Sequence, residues 1–425
     1  MEPTAIELNE IIKSNNKSVY NMLSSKGKAI FFPKKGILAQ AAEAKGKDIN
    51  ATIGIALEDD GTPMRLRSIE KNINLDPKDV FPYAPSFGKP DIRQKWKTML
   101  FEKNPGLKGK EISLPIVTNA LTHGLSIIGY LFIDENDKII MPDLFWGNYK
   151  LIFINAYGAK LDLFKTFENG FNIEGLKEKL NQEGDRKIVL LNFPNNPTGY
   201  TPTVQEIMEI KTVIKDAAEK GKKIVVIIDD AYFGLVYKEG VYKESIFSEL
   251  ADLHENLLAV KVDGPTKEDY VWGLRVGFLT YGIKNGSSKL YESLASKTAG
   301  AVRGNISNDS NLSQSLVHNA YSELTYQSEK QAKYQILKDR FLEVQKVLAE
   351  HKEYEEEFVA LPYNSGYFMC IQPNKDAEKI RQLLLEKYST GLISVGQILR
   401  IAFSAVPKDQ IAIMFKNIYK ACKEI

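Results

Sequence analysis

The sequence predicts an α/β protein: a three-layer αβα domain on a mostly parallel sheet, joined to a smaller α+β domain drawn from both chain ends. Three observations lead there. Between Ile116 and Tyr281, short apolar runs alternate with helical patterns, and near-continuous apolar strands separated by helices belong to parallel sheets covered on both faces. Both ends of the chain carry mainly helical periodicity instead. At 425 residues, 44% apolar and 26% charged, the chain is long enough for a large core and more than one domain. The expected division is 65–310 for the large domain, and 1–64 with 311–425 for the small one.

Taken in order, residues up to about 50 are rich in Lys, Asn and Ala, with helical spacing at Ile6, Ile11 and Ile12 and again over 37–44. They read as helical cover. Around Tyr83 the segment YAPSFGKPDIR has prolines and a glycine that forbid regular structure before a helix begins near Asp91. TNALTHGL (118–125) opens a helix running through Ile128 and Leu131. Strands are expected at 138–141, 159–164, 188–193, 224–228, 257–262 and 276–281. Beyond Ser310 one long helical stretch carries Tyr321, Leu324, Tyr334, Leu337, Phe341, Val344 and Leu348, before short strands near Tyr367 and Arg400 and a last helix. No internal repeat or low-complexity linker is visible.

Composition excludes several classes of function. A net charge of +2 gives no general attraction to polyanions, so nucleic acid is not expected as a partner. Cys370 and Cys422 form no CxxC spacing, and His123, His254, His318 and His351 are scattered, so neither a metal cluster nor a disulfide framework is expected. The start, MEPTAIELNE, has acids and no apolar targeting core, and the apolar run ending at Ile133 is too short to cross a bilayer. The expectation is a cytoplasmic protein without membrane contact.

The chemistry concentrates at expected strand ends, where α/β sheets bind ligands. DGPTKEDYVWGLRVG (263–277) joins two apolar runs. A lysine held there is desolvated, which lowers its pKa and frees an amine nucleophile, while Arg275 supplies a fixed positive charge. Alone, Lys267 before Glu268 and Asp269 reads as a solvated charge run. In NFPNNPTGY (192–200), Asn196, extended before Pro197, can offer an amide to a ring oxygen, with Thr198 and Gly199 making the turn. IVVIIDDAY (224–232) ends a buried strand in two carboxylates, so Asp229 or Asp230 should meet a cation or ring N–H, or else cap the next helix. Tyr232 is either a site hydroxyl or core. The helix start at 118–125, with the Thr122 hydroxyl, is a phosphate cradle or a plainly capped helix. In PDLFWGNY, Trp146 can stack on a planar heterocycle or belong to the core. In LRIAF, Arg400 interrupts an apolar strand and calls for a carboxylate, from the protein or from a substrate.

These motifs and their order resemble the class I/II aminotransferases, the fold-type I enzymes that use pyridoxal 5'-phosphate. The resemblance covers roughly 83–403 and rests on NNPTG, DDAY, Lys267 eight residues before Arg275 and followed by Gly277, and the late RIAF arginine. It implies that Lys267 forms the Schiff base and shuttles the proton, and that Asp229 pairs with the pyridine nitrogen. Asn196 and Tyr232 would hydrogen-bond the ring hydroxyl oxygen, Asn196 lying also on the substrate side. Trp146 would stack on the ring, and Arg275, Thr122 and the Leu121 N–H would bind the phosphate. Many members carry a serine three residues before the lysine. This chain has Gly264 there, and Thr266 is the nearest hydroxyl. His123 also departs, standing at a usually small or polar position. Arg400 resembles the arginine for the substrate α-carboxylate. Tyr83 resembles a tyrosine that reaches the neighbouring subunit's phosphate, implying a homodimer with shared active sites. VRGNISN (302–308) is similar to the aspartate/aromatic branch, where Arg303 would bind a distal carboxylate across subunits.

The implied activity is transfer of an amino group between an L-amino acid and a 2-oxo acid. Glutamate and 2-oxoglutarate are expected as one pair, with aspartate or an aromatic amino acid as the other substrate. A β-lyase or an ACC-synthase-like cyclising enzyme on the same fold would need the same residues. A ligand-sensing regulator with an aminotransferase-like module would need a DNA-binding part, and the residues before Tyr83 show no concentrated basic recognition helix.

Overall fold

The computed structural model describes residues 1–32 and 36–425. Seven strands form the larger sheet: β1 Ile116–Asn119, β2 Lys138–Pro142, β3 Lys160–Phe164, β4 Arg186–Asn192, β5 Lys223–Asp229, β6 Leu257–Asp263 and β7 Val276–Gly282. Their spatial order is β1-β7-β6-β5-β4-β2-β3. The pairings from β3 across to β6 are parallel, whereas β7 runs antiparallel to both of its neighbours. Each expected strand is present within a residue or two of its expected bounds, and β1 is added.

Alternate residues of these strands serve two separate cores, which is why both faces had to be apolar. Ile139, Met141 and Ile227 face a cluster with Leu125, Ile128 and Val302. Ile140, Val226 and Ile228 face a second cluster with Ile207, Ile210 and Ile214. The first cluster is covered by the helices Ala120–Phe132 and Ser288–Ile306, and the second by Val204–Glu219, giving the three layers. The helix Val204–Glu219 begins in a capping box formed by Thr203 and Glu206, which satisfies two free N–H groups at its start.

The smaller sheet is antiparallel and comprises β8 Phe358–Ala360, β9 Met369–Pro373, β10 Ile393–Val395 and β11 Ile398–Ile401 in the order β10-β11-β9-β8. The early chain meets the same region through a separate two-stranded sheet, in which Ile49–Asn50 pairs in parallel with Thr390–Gly391, and Ala402 N–H donates to Ala51 O at 2.8 Å.

In chain order, the helices used below are α1 Pro90–Lys103, α2 Ala120–Phe132, α3 Val204–Glu219, α4 Ser288–Ile306, α5 Asn311–Ala320, α6 Tyr326–Glu350 and α7 Ile411–Glu424. Two details differ from expectation. The long helical stretch beyond Ser310 is divided into α5 and α6, with Tyr321 and Leu324 in the turn between them. Thr118 and Asn119 end β1, paired with Gly277 and Val276, so they extend a strand rather than open the helix. Among the described residues, no helix is long and apolar enough to cross a membrane.

Candidate active site

A cavity of about 380 Å³ opens at the carboxyl ends of β4 to β6. Every site residue expected from the sequence lines it except Tyr83 and Arg303. Asp229 is the last residue of β5 and pairs in register with Asn192, the last of β4. The pleat then separates the two acids of DDAY, because successive side chains point to opposite faces. Asp229 enters the cavity, where Oδ2 accepts from the Tyr149 hydroxyl at 2.6 Å and Oδ1 from Ala231 N–H at 3.1 Å. Burial raises its carboxyl pKa, opposed by the Tyr149 bond and the charge of Lys267. Asp230 points away, accepting from Ser245 Oγ and pairing with the wholly buried Lys261, which also lies 3.3 Å from Asp263. Lys261 is therefore committed to two carboxylates, while Lys267 reaches the cavity.

Lys267 sits in the connection between β6 and β7, its amine 5.3 Å from the centroid of the Tyr232 ring. Burial lowers its pKa to about 8, with Asp229 pulling upward and Arg275 downward. Its carbonyl accepts from the Tyr367 hydroxyl at 2.7 Å. The charge run of the sequence is not solvated: Glu268 and Asp269 are buried. Asn196 N–H donates to Asn192 Oδ1 at 2.8 Å, and Asn192 Nδ2 donates to the Asp229 carbonyl at 2.8 Å, so one side chain locks the NNPTG turn to the end of β5. Gly199 closes that turn at φ +71°, where a Cβ would lie 1.8 Å from the Phe368 carbonyl. Only glycine allows the two segments to meet so closely, and Phe368 lines the cavity as a result.

The opposite end of the cavity is made where β1 runs into α2. Ala120 at φ +58° turns the chain, and its N–H donates to the Arg275 carbonyl at 3.1 Å. Gly277 lies against it with no room for a side chain, a Cβ falling 2.6 Å from the Ala120 carbonyl carbon. This brings the guanidinium-bearing segment to the helix start carrying Leu121 and Thr122, a combination of cation and free N–H groups suited to an anion. Burial lowers the Arg275 pKa from its ordinary value. Thr266 also lines the cavity. The departure at Gly264 has a local cause: a Cβ there would sit 2.7 Å from the Val276 carbonyl, so a serine would need the β7 backbone to move. His123 lies outside the lining; its Nδ1 accepts from Asn119 N–H at 3.0 Å.

Arg400, on β11, is 4% exposed, and its guanidinium lies 4.3 Å from the centroid of the Phe368 ring. Nη2 donates to the Thr52 carbonyl at 3.1 Å, while Nε is buried without a hydrogen-bond partner. Among the described residues it forms no ion pair, although a buried guanidinium is costly without a counter-charge. Trp146 meets Tyr149 edge-on at 5.6 Å. Tyr83 is 90% exposed and Arg303 is exposed near the end of α4, both outside the cavity of this single chain.

Sequence reasoning missed Tyr149, Asn192, Asn148, Gly54 and Phe368, all of which line the cavity. Tyr149 carried a signal, since it lies within the same PDLFWGNY motif as Trp146, and Asn192 begins NFPNNPTGY. Gly54 and Phe368 had none, because they enter from the far ends of the chain.

The family model for aminotransferase class I and II matches residues 47–418. The chain is similar to a probable aspartate/prephenate aminotransferase of Aquifex aeolicus, 28% identical over 253 residues, covering 58% of this chain and 60% of the relative. It is also similar to a probable N-acetyl-LL-diaminopimelate aminotransferase of Bacillus subtilis, 27% identical over 231 residues and covering 54% of each chain. It thus spans somewhat over half the length of these curated relatives. An aminotransferase structure from Anaerococcus prevotii aligns with a TM-score of 0.83 at 26% identity, covering 94% of this chain and 98% of the other. Cytoplasmic aspartate aminotransferase of Saccharomyces cerevisiae aligns with a TM-score of 0.77 at 16% identity, covering 96% and 100%, a likeness of fold alone. Because the family match takes in both sheets and every strand end around the cavity, the chain belongs to the class I and II aminotransferases.

Proposed function

We propose that this chain is a pyridoxal 5'-phosphate-dependent aminotransferase, moving an amino group between an L-amino acid and a 2-oxo acid. One observation carries the reading: a single cavity is lined by a half-buried lysine of lowered pKa, a buried carboxylate, Asp229, and a buried guanidinium, Arg400, that has no ion-pair partner among the described residues. The residues present fit the cofactor. Lys267 would hold it covalently, Asp229 at the ring nitrogen, Asn196 and Tyr232 at the ring oxygen and Trp146 on the ring face. Leu121 N–H, Thr122, Thr266 and Arg275 would surround the phosphate. When bound, the cofactor supplies an electron sink for the bond broken at the substrate Cα.

The chain's own groups do the rest. With a pKa near 8, the Lys267 amine is poised to take a proton from Cα and return it near neutral pH. Tyr149, wholly buried, holds the Asp229 carboxylate by a charge-assisted hydrogen bond. Burial raises the Tyr232 pKa, so its hydroxyl keeps its proton and acts as a donor. Arg400 grips the substrate α-carboxylate and so fixes which Cα bond is aligned for cleavage.

Glutamate and 2-oxoglutarate form one substrate pair in this reading, with aspartate or an aromatic amino acid as the other substrate. In a homodimer Tyr83 and Arg303 would serve the neighbouring cavity, Arg303 meeting a distal carboxylate. The same reading divides the chain into a large domain at 65–310 and a small one from 1–64 and 311–425, and places the protein in the cytoplasm. The test is an absorption titration of the cofactor-loaded protein with a panel of L-amino acids, followed by product analysis with 2-oxoglutarate. A spectral shift and a stoichiometric 2-oxo acid product are expected, and Lys267→Ala should abolish the covalent chromophore. Pyruvate and ammonia released without any 2-oxo acid acceptor would defeat the transaminase reading, and a covalent chromophore surviving in Lys267→Ala would remove Lys267 from its role. Light scattering checks the dimer.

A further inference from the structure

The two acids that follow Lys267 form the centre of a buried ion cluster that the chemistry above does not use. Glu268 Oε1 accepts from Lys103 Nζ at 2.7 Å, at the end of α1, and Oε2 accepts from Lys330 Nζ at 2.5 Å, in the first turns of α6. Lys330 also lies 3.0 Å from Asp269 Oδ1. Asp269 accepts the Tyr326 hydroxyl at 2.8 Å and the Tyr321 hydroxyl at 3.1 Å. Two carboxylates thus meet two ammonium groups, with every carboxylate oxygen bonded. Burial works against ionisation of Glu268, but Lys103 and Lys330 hold its carboxyl down at about 2, so it stays charged at working pH.

The cluster touches the reacting side of the molecule at two points. Lys267 is the residue immediately before it. Gly234, at φ +87° in the turn after DDAY, lies so close that a Cβ would come within 3.0 Å of Glu268 Oε2. On its far side, α6 carries the wholly buried Arg340, whose Nη1 donates to the Ser404 carbonyl at 2.5 Å. Phe341 packs against Phe403 at 6.3 Å between ring centroids. Those contacts fall three and four residues beyond Arg400. Between Lys330 and Arg340 the helix is a rod of about 15 Å at its usual rise per residue. One end of the rod is bolted to the residue beside Lys267, and the other to the turn Phe403–Ala405 that directly follows the strand bearing Arg400.

We infer that the Glu268–Lys330 contact is a positioning element that sets the spacing between the Lys267 amine and the Arg400 guanidinium. The inference rests on the aminotransferase reading, because a substrate held by its α-carboxylate at Arg400 must bring its Cα and amino nitrogen to Lys267. An error in that spacing is felt by the substrate and hardly by the cofactor, whose other contacts come from the large sheet.

The test uses cofactor-loaded protein with Lys330→Met, Lys330→Arg and Glu268→Gln. Lys330→Met should keep the covalent chromophore and its affinity for pyridoxal 5'-phosphate, yet raise KM and the spectrally measured Kd of a non-reacting α-methyl amino acid on the order of tenfold. Lys330→Arg should restore most of the loss, and Glu268→Gln should give a smaller loss of the same kind. Combined with Arg400→Lys, Lys330→Met should cost much less than it does alone, since coupled residues are not additive. In apoprotein, reductive methylation of Lys267 followed by mass spectrometry across pH should show an unchanged titration in Lys330→Met; a displaced one would mean that the cluster acts through charge rather than position. Full additivity with Arg400→Lys, or an unaltered Kd in both Lys330→Met and Glu268→Gln, would overturn the inference while leaving wild-type transamination intact. If wild-type protein shows no spectral response to any amino acid, it is the underlying reading that fails.

Discussion

Replacing Lys267 by methionine should make the cofactor-free protein more stable, and by an amount that depends on pH. Burial lowers the Lys267 pKa from its ordinary 10.5 to about 8, so the folded chain binds this proton less tightly than the unfolded chain does. At 1.36 kcal/mol per tenfold change, the difference is about 3 kcal/mol. Below about pH 8 the lysine is charged in both states and the whole penalty is present. Between about 8 and 10.5 the folded state has released a proton that the unfolded state retains, so stability recovers as pH rises, and above 10.5 the penalty is gone. Methionine has a similar length and no charge to desolvate. Lys267→Met should therefore gain about 3 kcal/mol at pH 7, or roughly 3 °C in Tm given an unfolding entropy of about 0.9 kcal/mol/K for a chain of this length. The assay is paired calorimetry of wild-type and variant apoprotein from pH 7 to 10. A variant no more stable at pH 7, or a gain that does not shrink towards pH 10, would refute the argument.

Other changes should be as specific. Lys261→Met leaves Asp230 and Asp263 facing each other without a counter-charge and should cost about 3–5 kcal/mol; burial already raises both carboxyl pKa values, so denaturant midpoints should show the deficit shrinking as pH falls and the acids protonate. Gly199→Ala forces a Cβ into the Phe368 carbonyl at a left-handed backbone position and should lower stability by about 2–4 kcal/mol, read from the urea midpoint. Tyr149→Phe removes the 2.6 Å bond to Asp229, a contact to a charged group worth about 1.5–3 kcal/mol. It should push the carboxyl pKa further up, so cofactor retention in equilibrium dialysis should fall most towards acid pH.

The strands were legible because both faces of the large sheet are covered, leaving unbroken apolar runs such as IVLL and IVVII. Strand ends then located Asn196, Asp229 and Lys267, since functional groups of a parallel sheet collect at its carboxyl edge. The direction of β7 was not legible: VGFLTY is equally apolar whether it runs with its neighbours or against them. The break between α5 and α6 falls in YSELT, which contains neither Gly nor Pro to announce it. Tyr149 shares a motif with Trp146, but a site hydroxyl and a core tyrosine look alike among aromatic neighbours, so its part in the cavity was not legible. Glu268 and Asp269 were misleading for a different reason. Their charges are buried because Lys103 and Lys330 meet them from 165 and 62 residues away, and no local window contains those partners.

The reversed strand β7 also determines the order in which the cavity can be lost. Because β6 and β7 are antiparallel neighbours, Lys267 and Arg275 belong to one hairpin connection, assembled by contacts between residues close in sequence. The Arg400 guanidinium, proposed to meet the substrate carboxylate, arrives by closure of a long stretch of chain, at a greater entropic cost. Under the proposed function, a molecule whose small sheet has locally unfolded would still present Lys267, Asp229 and Arg275 to the cofactor, while having no means to orient an amino acid. Partial damage should thus yield a coloured but inactive protein, with cofactor binding outlasting catalysis.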